Sequence, residues 1–366
     1  MRNLSILLAL ILTLGLARTS QAQDPHISQF YYAPLQVNPA LTGVIPCNYR
    51  VGLLYRSQWA EVLRDEEFGR FQTVIGSADM RFAVGDNAIG VGFRMMSDKA
   101  GQSQFATLRG GLSLSYQQRL TKWKKHYLSV GLQGDFIQRS FDLGGLRFGN
   151  QWNSDLGVYD PTIDADNPSY LNSLNQQFIF FSAAAGILYY MEADRNERIS
   201  AYAGMSMQHI NEPNQSFETR GQDLPTAILP NLIVVHGGAR FPVFGSFDLM
   251  PKFLMQFQGQ AYETLVGTEF RYNINPYEPN ESGFHFGALY RGVGGLKNAT
   301  ETGFNTESLI LLTGFDIKGF DLGVSYDLNL SDFRAATFSR GAFEIAASYT
   351  GCFQKRYSDN VTCPKF

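Results

Sequence analysis

The sequence predicts an all-β chain closed into a transmembrane antiparallel β-barrel of the outer-membrane type, with about fourteen strands. Three observations carry this reading. The chain holds 36 Gly, 29 Phe and 18 Tyr while charged residues make up only 17%, an aromatic, glycine-rich composition that suits many strands. No apolar run after the first 22 residues is long enough for a helical span of about 20 residues, and the nearest, 179–191, falls short. Segment after segment alternates apolar and polar residues with period two.

At the N-terminus, Arg2 precedes an apolar stretch from Leu4 to Ala17, and Ser20-Gln21-Ala22 places small residues where signal peptidase needs them. Residues 1–22 are expected to be a cleaved secretory signal, with no cysteine at the junction for a lipid anchor. Cleavage removes Arg2 and Arg18 and no acid, so 30 − 2 = 28 basic residues face 33 acidic ones, a mature charge of −5. That balance argues against nucleic acid, which calls for a clustered basic face. The nearest such cluster, Lys122, Lys124 and Lys125 beside Trp123, reads as a hairpin turn.

Residues 23–46 fit neither helix nor strand. Asn38-Pro39 fixes a turn, because the residue before proline is pushed out of the helical region. An irregular chain cannot face lipid with its backbone groups unsatisfied. The segment therefore tucks into the lumen or lies along the periplasmic mouth, anchored by Phe30, Tyr31, Tyr32 and Leu35. It serves either as a plug or as a partner-docking surface, through Gln29, Phe30, Tyr31, Asn38, Pro39 and Gly43.

The barrel is expected to occupy residues 47–366. In "LRGGLSLSYQQRL", Leu112, Leu114 and Tyr116 alternate with Gly111, Ser113 and Ser115; in "LSVGLQGDFIQ", Val130, Leu132 and Phe136 alternate with Gly131, Gln133 and Asp135. The polar faces carry Gly, Ser and Gln rather than the Lys and Glu that disperse soluble surfaces, so the apolar face is assigned to lipid and the polar face to an enclosed interior. Strand candidates lie near 48–58, 70–83, 87–97, 104–119, 125–139, 177–191, 197–208, 229–242, 246–257, 261–273, 282–292, 307–318, 320–330 and 341–352. The links at 84–87, 244–246 and 318–320 are tight turns at one end; 140–176, 209–228 and 293–306 are long loops opposite, with Gly292, Gly294 and Gly295 read as loop glycines. Arg50 and Arg56 share one strand face and are costly toward lipid at mid-bilayer, about 2–4 kcal/mol each. Both are placed inward, with Asp79 and Glu344 as candidate partners.

Little points to chemistry. The five histidines fall on different segments, and Asp160, Asp164 and Asp166 lack the glycine and terminal glutamate of a calcium loop. No metal, cofactor or catalytic residue is assigned. Cys47 precedes the first strand and Cys352 ends the last, and the two strands are neighbours in a closed barrel; a 47–352 or a 47–363 bridge is open, leaving one thiol over.

The landmarks Ser28-Gln29-Phe30, Asn38-Pro39-Ala40, Gly43, Tyr49-Arg50, Tyr55-Arg56-Ser57-Gln58-Trp59 and the closing Cys363-Pro364-Lys365-Phe366, in that order, resemble the PorP/SprF family of Bacteroidetes outer-membrane proteins. The resemblance implies a multi-pass outer-membrane location and no enzymatic activity. It also implies partnership with lipid, with other type IX secretion components, and with exported or surface-attached cargo, such as gliding adhesins, bearing a C-terminal sorting domain. The competing reading is a channel for small or hydrophobic solutes.

Overall fold

The computed structural model describes residues 24–60, 71–101, 103–121, 125–142, 151–153, 158–160, 176–192, 199–217, 227–274, 282–298, 301–332 and 334–353. The expected leader 1–22, most of the 140–176 loop, Cys363 and Phe366 lie outside them.

Fourteen antiparallel strands close into one barrel. They are β1 (Tyr49–Gln58), β2 (Phe71–Val84), β3 (Asn87–Ala100), β4 (Phe105–Arg119) and β5 (Lys125–Ser140). A two-residue ribbon, β6 (Trp152–Asn153) with β7 (Val158–Tyr159), lies outside the wall. The wall resumes with β8 (Gln177–Glu192), β9 (Ser200–Gln208), β10 (Leu232–Phe244), β11 (Phe247–Gln258) and β12 (Ala261–Asn273). It ends with β13 (Gly283–Asn298), β14 (Glu301–Ile317), β15 (Phe320–Asn329) and β16 (Arg340–Gly351). Each strand pairs with its neighbour in sequence, β5 pairs with β8, and β1 closes the ring on β16 from Tyr49↔Gly351 to Gln58↔Ala342.

The pleat sorts side chains as period two demands. On β4 and β5, Leu112, Leu132 and Phe136 are 67%, 67% and 66% exposed to the outside, while Ser113 and Asp135 are 2% and 0% exposed. The outer band is therefore apolar. The hairpin between β14 and β15 turns at Lys318 and Gly319, both at positive φ (50° and 86°), the backbone of a type I′ turn.

One expectation needs correction. The stretch 293–306 is not a loop: β13 runs to Asn298 and β14 starts at Glu301. Gly292 and Gly294 sit in the wall beneath aromatic rings. A Cβ on Gly294 would lie 2.1 Å from the Tyr262 ring, and one on Gly292 would lie 2.4 Å from the Phe304 ring. Glycine marks a place where a neighbouring ring lies flat across the strand. Trp59 follows the end of β1 at positive φ; its N–H donates to the Gly341 carbonyl and its ring packs edge-on against Phe71.

Candidate functional site

Residues 24–46 fill the lumen. The segment runs as three short pieces, a 3-10 turn at Phe30–Tyr32, one helical turn at Pro34–Val37 and a second 3-10 turn at Pro39–Leu41. It descends the barrel from the long-loop end, where the Asp24 N–H donates to Gln258 at the tip of β11 (3.0 Å), to the short-turn end. There the Gly43 N–H donates to Asp79 of β2 (2.7 Å), and Cys47 bonds to Cys352 (Cα–Cα 4.9 Å).

A chain without regular structure leaves its carbonyls unpaired, and the wall supplies donors. Seven carbonyls of the segment accept from wall side chains: Leu35 from Arg94, Gln36 from Gln208, Val37 from Ser206, Ala40 from Ser129, Leu41 from Arg50, Thr42 from Ser115 and Gln117, Ile45 from Arg81. At about 1 kcal/mol net for each such bond, the set contributes several kcal/mol. Asn38 caps its own turn by accepting from the Ala40 N–H (2.8 Å), and its amide donates to the carbonyls of Ile187 and Met205 (3.1 and 3.2 Å) and contacts His236 (3.0 Å).

Inward glycines make room for this approach. A Cβ on Gly186 would lie 1.9 Å from the Asn38 Oδ1, and one on Gly131 would lie 2.4 Å from the Pro39 and Ala40 backbone. The Gly/Ser/Gln face is thus both the mould and the donor set for the segment, a role that the alternating pattern alone did not separate from a wet lining. The interior also departs from a purely polar lining. Leu188, Leu232, Val234, Leu254, Leu265, Leu289 and Ile310 point inward and pack with Phe30, Val37, Leu41 and Val44 into an apolar core.

Charges sit in compensated groups. Arg50 meets Asp79 on β2 (2.9 Å). Arg56 meets Glu344 (2.5 Å) and Asp327 (3.1 Å). Ser28 of the segment lies between these groups: its hydroxyl donates to Asp327 and accepts from Arg56 (3.0 Å) and Arg291 (2.6 Å), while Glu344 accepts from the N–H groups of Ser28 and Gln29 (2.7 and 2.9 Å). Asp24 is held well below the ordinary carboxylate range: burial raises it, but His209 and Arg109, at 3.1 and 3.3 Å, together lower it further. His26 is raised by the Glu263 carboxylate it contacts, against the effect of burial. Tyr31 packs its ring under Lys252, 3.5 Å from the ammonium, and Tyr32 donates to Asp321.

Of the residues singled out from sequence, Gln29, Phe30, Tyr31, Asn38, Pro39, Gly43, Arg50 and Arg56 all meet inside the barrel. Cys47 and Cys352 form the bridge beneath them, and Trp59 stands at the opposite rim. Ser115, Gln117, Ser129, Ser206 and Gln208 were not anticipated as partners of the segment. Their signal was present as the repeated Ser and Gln of the polar face.

The chain resembles other barrels in outline only. A TodX monoaromatic hydrocarbon channel mutant matches with 11% identity over 88% of this chain and 94% of its own, TM-score 0.46. The CymD monoaromatic hydrocarbon channel matches with 10% identity over 92% and 94%, TM-score 0.47. The translocator domain of the autotransporter NalP from Neisseria meningitidis matches with 10% identity over 83% and 89%, TM-score 0.32. Among curated proteins, none matches the sequence. The family model for the type IX secretion system membrane protein PorP/SprF matches residues 19–349, which takes in the lumenal segment and nearly the whole wall. This multi-pass outer-membrane barrel belongs to the PorP/SprF family of type IX secretion membrane proteins.

Proposed function

We propose that the protein is a non-enzymatic outer-membrane component of type IX secretion that supports export or surface attachment of proteins carrying a C-terminal sorting domain. It works as a closed platform for other secretion components and cargo, not as their conduit. The observation that supports this reading is the filled lumen, in which Phe30, Leu35, Asn38, Ala40 and Thr42 are all under 3% exposed. A polypeptide passing through would have to displace an apolar core and the eight hydrogen bonds that wall side chains donate to the segment's carbonyls. Its docking surface then lies on the rims and loops.

Deleting residues 24–43 tests this by measuring barrel heat stability and surface display of sorting-domain proteins together. Loss of both supports a segment that holds the platform in shape. Normal display from a barrel whose heat stability has collapsed assigns residues 24–43 to stability alone. Large, steady conductance steps from the intact protein in planar bilayers overturn the closed platform in favour of a solute channel.

A further inference from the structure

We propose that the open edge of β8 above the end of β9 is a strand-docking site, and that its occupant is an extended segment of a partner protein with apolar side chains at alternate positions. β8 pairs with β5 along its whole length, from Ser140↔Gln177 to Lys125↔Glu192, but its pairing with β9 begins only at Ala184↔Gln208. Residues 177–183 therefore present one edge that no strand among the described residues covers. The chain that leaves β9 turns away from it. His209 departs from the wall at positive φ (57°), and Phe217 stands on the lumen side against Phe105, Phe141 and Phe178.

Which backbone groups lie on that edge follows from the antiparallel ladder, where successive residues point to opposite sides. The Gln176 carbonyl accepts from the Phe141 N–H, so the even-numbered residues here face β5. The odd-numbered ones face the open side. There the Ala183 carbonyl accepts from the Ile210 N–H, while the Asn211 side chain accepts from the Ala183 N–H and donates to the Phe181 carbonyl (2.9 Å each), standing in for a strand at the foot of the edge. Above that cap, the N–H groups of Gln177, Ile179 and Phe181 and the carbonyls of Gln177 and Ile179 meet no partner among the described residues. Native sheets blunt an open edge with charge, proline or a bulge, and the run Phe178, Ile179, Phe180, Phe181 has none of these. Ile179 and Phe181 are 61% and 47% exposed on the outer face, and the Phe178 and Phe180 rings stack behind them at 5.7 Å, which stiffens the edge before anything binds. A row of alternating donors and acceptors is matched group for group by another extended backbone, and Ile179 and Phe181 select apolar cross-strand neighbours. The inference names one docking point for the platform described above.

The test adds a fluorescently labelled octapeptide of alternating threonine and valine to the full-length protein in detergent and reads binding by anisotropy. The same peptide N-methylated at alternate residues keeps every side chain but loses the pairing N–H groups along one edge. The plain peptide is expected to bind, and the methylated one to bind about tenfold more weakly or worse. Ile179→Pro removes an N–H that faces the open side and spares the β5 ladder. It is expected to keep the heat-dependent gel mobility of a folded barrel while losing peptide affinity by a similar factor, whereas Ile179→Val binds as the wild type does. Absence of peptide binding to the wild type, or undiminished binding by a folded Ile179→Pro barrel, overturns the assignment. Equal binding of the methylated peptide, the mark of adsorption to an apolar surface, overturns it as well and needs no variant to fold. None of these results touches the surface display of sorting-domain proteins, by which the platform reading itself stands or falls.

Discussion

Arg56 and Glu344 stand directly opposite each other across the seam between the first and last strands, and both bind Ser28 of the lumenal segment. The pair that closes the ring therefore also grips what the ring encloses. Breaking a buried ion pair from one side strands its partner's charge and typically costs about 3–5 kcal/mol. Arg56→Ala is expected to destabilise the barrel on that order, read as a lower temperature for loss of the compact gel band. Glu344→Gln is expected to do less to the seam but to expose residues 24–30 to protease.

Gly186 is a second lever, with less disturbance of the outer surface. A valine there meets the Asn38 side chain, whose Oδ1 lies 1.9 Å from the added Cβ. Gly186→Val is expected to displace the Asn-Pro turn and produce conductance steps that the wild type lacks. A silent Gly186→Val barrel with unchanged heat stability would count against the tight fit described here.

The Cys47–Cys352 bond joins positions 305 residues apart, yet the strands it links are already hydrogen-bonded. Because the bond restricts the unfolded chain, and more so the longer the loop it closes, its gain over the reduced chain belongs at the upper end of the usual range of about 2–4 kcal/mol. Cys47→Ser is expected to give a folded barrel that unfolds at clearly lower denaturant, measured by intrinsic fluorescence without reductant.

His26 gives the segment a pH response. Glu263 raises its pKa, with Arg291 opposing and Glu307 assisting. A raised folded-state pKa means that the contribution to stability is fully present below the ordinary histidine value of about 6.5 and is lost as pH climbs through the folded-state value. Unfolding midpoints of the wild type are expected to fall from pH 6 toward alkaline pH more steeply than those of His26→Gln. Parallel profiles would remove His26 from the response.

All fourteen wall segments were legible from alternation because lipid on one side and a sealed interior on the other enforce period two along every strand. What alternation does not encode is which neighbour crosses a strand. Gly292 and Gly294 read as a loop because the Phe304 and Tyr262 rings that cover them come from other strands. The inward Leu and Val of β8–β14 were equally opaque, since a filled barrel is apolar on both faces wherever its contents are apolar. Arg50 and Arg56 both lie buried on one face of β1, where Asp79, Asp327 and Glu344 meet them. The use of Ser115, Ser129 and Ser206 as donors to the segment depends on the path of a chain with no period of its own.

Ser28 touches β1 and β16 at the seam, while Asp24 sits at the far mouth from the disulfide. Such a segment is awkward to thread into a finished cylinder. Assembly is simplest when the strands are wrapped around it as around a mandrel, with the last zipper of hydrogen bonds drawn shut over an occupied space.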